Sequence, residues 1–143
     1  MRTLLSLGLL AAAAGLTTGQ DQKGPLEGKW VIESLTRDGK DDSATYKGGT
    51  RENTGMRYKM IPPGGSSAQT AEGTFTIDPK KTPATIDLVP GKGRYEGKTL
   101  PGIYKLEGDT LTIAFAEPGK DRPTAFESKA GSGVVLVVHK RAK

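Results

Sequence analysis

Short stretches in which apolar and polar residues alternate, separated by Gly, Pro and Asp, recur from Lys29 to the C-terminus. That is the pattern of half-buried β-strands. The stretch Lys29–Thr36 sets Trp30 and Ile32 on one face and Val31 and Glu33 on the other, and Arg37-Asp38-Gly39-Lys40 turns the chain. A second strand, Gly55–Ile61, stops at Pro62-Pro63-Gly64-Gly65. A third, Glu72–Ile77, points Phe75 and Ile77 inward, and a fourth, Ala84–Val89, does the same with Ile86 and Leu88 while Asp87 faces out. Gly102–Leu106 leads through Glu107-Gly108-Asp109 into the cleanest alternation, Thr110–Ala116, with Leu111, Ile113 and Phe115 on one side. A weak seventh strand covers Thr124–Ser128. The last, Gly133–Lys140, is apolar throughout Val134–Val138, which suggests cover on both sides. Placing Val134, Leu136 and Val138 inward puts His139 on the surface. The stretch Asp41–Asn53 is polar and shows no assignable period.

About eight strands in sequence order, joined mostly by short turns and without helical stretches, favour an all-β antiparallel meander. Eight strands close into a barrel and remove the exposed edges of an open sheet. A two-sheet β-sandwich is the alternative architecture.

Ahead of the strands, Met1-Arg2 is a short positive start and Thr3–Leu16 an apolar run, followed by Thr17, Thr18 and Gly19. This order is that of a secretory signal peptide over residues 1–19, with one domain over residues 20–143. The apolar run is shorter than the roughly 20 residues a spanning helix needs, so no membrane anchor is expected after cleavage. The chain has no Cys, so it carries neither a lipid tether after the leader nor disulfides. An exported protein, periplasmic or secreted, is expected.

Composition narrows the classes further. Hydrophobic residues make up 34% of the chain beside 20 Gly and 9 Pro, which suits turn-rich β structure and argues against a helical bundle. The formal charge is +5 with Arg2 counted, and it is spread along the chain with a small concentration at Lys140, Arg141 and Lys143. Without a basic stripe interleaved with aromatics, no nucleic-acid partner is expected.

Gly28-Lys29-Trp30 resembles the Gly-x-Trp signature of lipocalins. The resemblance implies that Trp30 plugs the closed end of a barrel and that a basic residue at the end of the last strand, Arg141 or Lys140, lies over the indole. Further blocks are similar to an uncharacterised lipocalin-like domain family of planctomycete-type bacteria. They are Gly73-Thr74-Phe75-Thr76-Ile77-Asp78-Pro79, Ile86-Asp87-Leu88, Gly97-Lys98-Thr99, Gly102-Ile103-Tyr104, Gly108-Asp109-Thr110-Leu111, Arg122-Pro123-Thr124-Ala125-Phe126 and Gly131-Ser132-Gly133. The segment Thr45–Thr70 departs from that pattern. This resemblance implies a lipocalin-like barrel and brings no activity with it.

Motifs with chemical promise mostly fail on spacing. Gly97-Lys98-Thr99 would need a Gly where Lys92 stands to make a phosphate loop, and a strand follows where a helix is required. Asp38, Asp41 and Asp42 lack the ligand frame of a calcium loop. Arg122, Thr124 and Ser132 flank the weak seventh strand and are candidate residues of a loop at the barrel mouth, where Arg122 offers a fork for an anion. No catalytic constellation and no cofactor motif are visible. The expectation is a non-enzymatic exported barrel that binds a small, largely apolar molecule. The alternative is a structural or interaction domain of the envelope with a filled barrel and an envelope protein as partner, and a third reading is a hydrolase built on two buried carboxylates.

Overall fold

A computed structural model describes residues 24–65 and 70–143, so the signal peptide read at residues 1–19 lies outside the described residues. Among the described residues nine strands and one short helix follow in order: β1 (Gly28–Arg37), β2 (Lys40–Asp41), α1 (Ser43–Tyr46), β3 (Thr50–Thr54), β4 (Arg57–Ile61), β5 (Ala71–Asp78), β6 (Thr85–Pro90), β7 (Leu100–Glu107), β8 (Thr110–Ala116) and β9 (Val134–Arg141). Every pairing is antiparallel. From β3 to β9 each strand pairs with the next, and β1 pairs with both β3 and β9. That double pairing closes eight strands into a lipocalin-like barrel and excludes the two-sheet sandwich. β2 is a two-residue addition at the end of β1. Among the described residues no helix is long and apolar enough to cross a membrane.

The strands sit where alternation places them, with two exceptions. Thr124–Ser128 is irregular and forms no strand. The eighth barrel strand is instead β3, with the sequence TRENT, inside the stretch that carries no hydrophobic period.

Two ends differ. At one, Trp30, Leu26, Tyr104 and Leu111 pack with Phe75 and Ile86 into the main core. Trp30 and Leu111 are fully buried, and burying such side chains is worth roughly 1.5–3 kcal/mol each. Toward the other end, Met60, Leu88, Leu100 and Phe115 line one space, and Leu35, Met60, Phe115 and Val135 an adjoining one.

The interior of β9 corrects one expectation. Val135 and Val137 join Ile32 and Leu35 in the barrel, whereas Val134 packs with Ile103, Ala114 and Ala116 against Phe126 and Leu136. That second cluster lies on the outer wall, under the connection between β8 and β9. Residues 117–133 therefore form a strap, and the apolar run of β9 is covered on both sides. With odd-numbered positions inward, His139 is a core residue with no exposure, not a surface one.

Candidate functional site

The closed end is built around Trp30. The chain enters beneath the barrel with Leu26, whose carbonyl accepts hydrogen bonds from Trp30 Nε1 (3.1 Å) and Asn53 Nδ2 (2.8 Å). Arg141 lies over the indole with its guanidinium carbon 4.2 Å from a ring centroid, and its Nη1 donates to the Glu27 carbonyl at 3.2 Å. Gly28 has φ +119°, and a Cβ there would come within 3.2 Å of Arg141 Nη1. Glycine at that position thus satisfies a left-handed backbone and leaves room for the cation. Arg141, rather than Lys140, is the residue over the indole.

Deeper in the barrel lies a polar group that sequence reasoning missed. Arg51 on β3 is 2% exposed, and Asn53 and His139 are buried beside it. Arg51 Nε donates to Asn53 Oδ1 at 2.9 Å, and the guanidinium lies 4.9 Å from the Tyr58 ring centroid and 5.9 Å from that of Phe75. Arg51 Nη2 has no partner, and among the described residues no carboxylate pairs with this cation. Burial lowers its pKa to about 10, still far above neutrality, so it is charged. An isolated buried charge costs several kcal/mol even after relaxation, and ring faces plus one amide oxygen recover part of that.

His139 completes the group. Its Nδ1 is 2.9 Å from the Leu111 carbonyl, so Nδ1 carries the proton and Nε2 is an acceptor, without a partner. Burial first, and then the charge of Arg51, hold its pKa down at about 3 against the raising effect of the Leu111 bond, so the ring is neutral.

Above Arg51 the barrel is hollow. A cavity of about 210 Å³ has Arg51, Tyr58, Met60, Leu88, Leu100 and Phe115 around it, with Glu72, Lys92, Arg94 and Tyr95 toward the rim. An adjoining space of about 160 Å³ shares Met60, Ala71 and Phe115 and reaches Leu35 and Val137. An engineered apolar cavity of about 150 Å³ suffices for benzene, so the larger space has room for a small organic molecule. Lys92, Arg94 and Tyr95 come from the Gly91–Thr99 connection between β6 and β7, which forms turns and leads into β7 without a helix.

Comparisons with protein-family models, curated proteins and solved structures found no match to this chain. Geometry alone therefore carries the functional argument.

The residues expected at the mouth lie elsewhere. Arg122 is in the strap on the outer wall, where Nη1 meets Asp87 Oδ1 at 2.8 Å, the Gly102 carbonyl at 2.8 Å and the Ile86 carbonyl at 3.3 Å. One terminal nitrogen, Nη1, is thus held by the barrel wall. Thr124 is exposed on the same strap, and Ser132 Oγ donates to the Lys129 carbonyl. None of the three lines the hollow. The aspartates at Asp38, Asp41 and Asp42 serve turns: Asp38 Oδ1 accepts from Gly133 N at 2.8 Å, Asp41 Oδ1 from Ser43 N at 2.9 Å, and Asp42 lies 3.8 Å from Arg37. Among the described residues no group of three or more acids and histidines could hold a metal ion. The buried polar residues there are Arg51, Asn53, Thr70, Thr112 and His139, none of them a carboxylate.

Proposed function

We propose that this barrel binds a small molecule that enters through the open end, and that it does so as an exported carrier rather than as an enzyme. The observation that carries the reading is the hollow of about 210 Å³ with a buried, counter-ion-free Arg51 at its floor. A barrel evolved only to be filled would have no use for that charge, because an apolar side chain of similar volume is as stable or more so. A cleft with mostly apolar walls and one placed polar group is the usual design of a small-molecule site.

Native mass spectrometry of the mature protein, purified from its exporting host without detergent, tests the reading. Added mass that organic extraction removes supports it. A bare mass, together with no uptake of short-chain amphiphiles, overturns it.

A second reading, an envelope interaction domain, has one observation in its favour. Met56, at the turn between β3 and β4, is 57% exposed. It borders a recess with Pro25, Leu26, Phe75 and Ile77 at the closed end. A bare mass would turn attention there.

A further inference from the structure

The chemistry at the cavity floor specifies more than size and apolarity. Arg51 is a permanent cation inside the barrel, and its Nε is committed to Asn53. Arg51 borders the hollow, and its Nη2 is buried without a partner. Beyond it the walls change character at once. Met60, Leu88, Leu100 and Phe115 surround the space with hydrocarbon and one aromatic ring. Nothing on the described inner wall supplies negative charge at that depth. The one carboxylate bordering the hollow, Glu72, stands on β5 toward the rim and shares it with Lys92 and Arg94. A ligand that satisfies both the floor and the walls is therefore negative at its leading end and apolar behind it.

We propose that the hollow receives a small amphipathic carboxylic acid head first, with its carboxylate on the Arg51 guanidinium and its hydrocarbon body against Met60, Leu88, Leu100 and Phe115. This rests on the reading of the barrel as a small-molecule carrier and deepens it. A planar carboxylate matches a guanidinium edge. A phosphate monoester shares the negative headgroup, but it carries up to two charges and three acceptor oxygens against one buried cation. The neutral His139 adds no second positive charge. Charge pairing in a site from which water is excluded is far stronger than the same pairing in bulk solvent, so the headgroup supplies the selectivity. The size of the hollow, set against the cavity that takes benzene, suits a body of about six to eight carbons within that space alone. Lys92 and Arg94 at the rim give an approaching anion a favourable field.

Titration calorimetry of the mature protein with hexanoate, 1-hexanol and hexyl phosphate at neutral pH tests this. Hexanoate is expected to bind at least tenfold more tightly than 1-hexanol, and Arg51→Met to abolish that margin while leaving 1-hexanol within about twofold of its original affinity. Equal binding of hexanoate and 1-hexanol, or a margin that survives Arg51→Met, overturns the inference and leaves the carrier reading standing. Tighter binding of hexyl phosphate overturns the choice of carboxylate. Failure of all three ligands to bind overturns this inference, and together with a bare mass it overturns the carrier reading as well. Should Arg51→Met fail to fold, the side-chain ¹⁵N–¹H resonances of Arg51 in the unaltered protein decide. They shift on addition of hexanoate but not of 1-hexanol if the carboxylate docks there, and unmoved resonances overturn the proposal.

Discussion

Arg141 covers the Trp30 indole at 4.2 Å, while Arg51 stands across from the same tryptophan on the neighbouring strand. Trp30 thus lies in a row between a cation that caps the barrel and a cation that faces its interior. The two arginines have different surroundings. Arg141 is partly solvated and bonded to the Glu27 carbonyl, whereas Arg51 is enclosed.

Replacing Arg141 by Ala is expected to destabilise the fold by about 1–2 kcal/mol through loss of the ring contact and the carbonyl bond. The Asp109 contact, at 3.8 Å and largely exposed, contributes little of this. Chemical denaturation gives the free energy, and a red shift of the Trp30 fluorescence is expected as its cover is removed. A variant with unchanged stability would show the stacking to be incidental.

Acid should weaken the protein through His139. Folded, its pKa is held at about 3, whereas an unfolded histidine titrates near 6.5. Between those values the unfolded chain holds a proton that the folded chain lacks, so stability falls as the pH drops through this window, by about 1.4 kcal/mol per pH unit from this group. Denaturation curves for the unaltered protein and His139→Gln at pH 7 and pH 5 measure it. The variant should lose much less stability on acidification, and parallel losses would rule the mechanism out.

The strap is expected to depend on Arg122. Its ion pair with Asp87 is partly solvated, with side chains 36% and 40% exposed, so the bonds to the Ile86 and Gly102 carbonyls matter more. Arg122→Ala should expose the backbone between Glu117 and Gly133 to protease and to amide exchange, at a cost of about 1–2 kcal/mol. Affinity for a ligand in the barrel should not change. A fall in affinity without faster proteolysis would move Arg122 from the strap to the site.

Gly73 has a different constraint. A Cβ at this β5 position would run into the Val89 carbonyl and come within 2.9 Å of both Pro90 Cα and Tyr58 Oη. Gly73→Ala should cost about 1–3 kcal/mol, as overpacking does. The same variant should disturb Tyr58, one of the rings facing Arg51. Denaturation and the Tyr58 ring resonances report the two effects separately.

The barrel was readable because most inward positions are large and apolar and alternate with polar ones, as in β6 and β8. The site was not, for the same reason. β3 places Arg51 and Asn53 inward and Glu52 on the other face, so the strand that bears the buried cation has no hydrophobic alternation at all. A polar interior erased the alternation that would have located it. The error at His139 had a different source. A continuous apolar run such as Val134–Val138 says nothing about which residues face in. Of the two residues expected over Trp30, Arg141 shares its face of the strand with His139 and Lys140 does not. With Arg141 over the indole, the alternation of β9 carries the imidazole inward. The strap is a third case: its outer-wall cluster, Ile103 with Ala114 and Leu136, is legible only once the barrel beneath it exists.

β1 bonds to β3 on one side and to β9 on the other, and this gives the chain a schedule. As residues are added in order, β3 to β8 can hang together as a growing ribbon, but the second edge of β1 has no partner until residues 134–141 have been made. Closure thus waits for the strand pairing most distant in sequence among the described residues, the kind of contact that slows folding most. Until then two bare edges face outward together, each able to recruit another chain. Loss of the final strand would consequently yield not a smaller barrel but an open sheet prone to stack with its own copies.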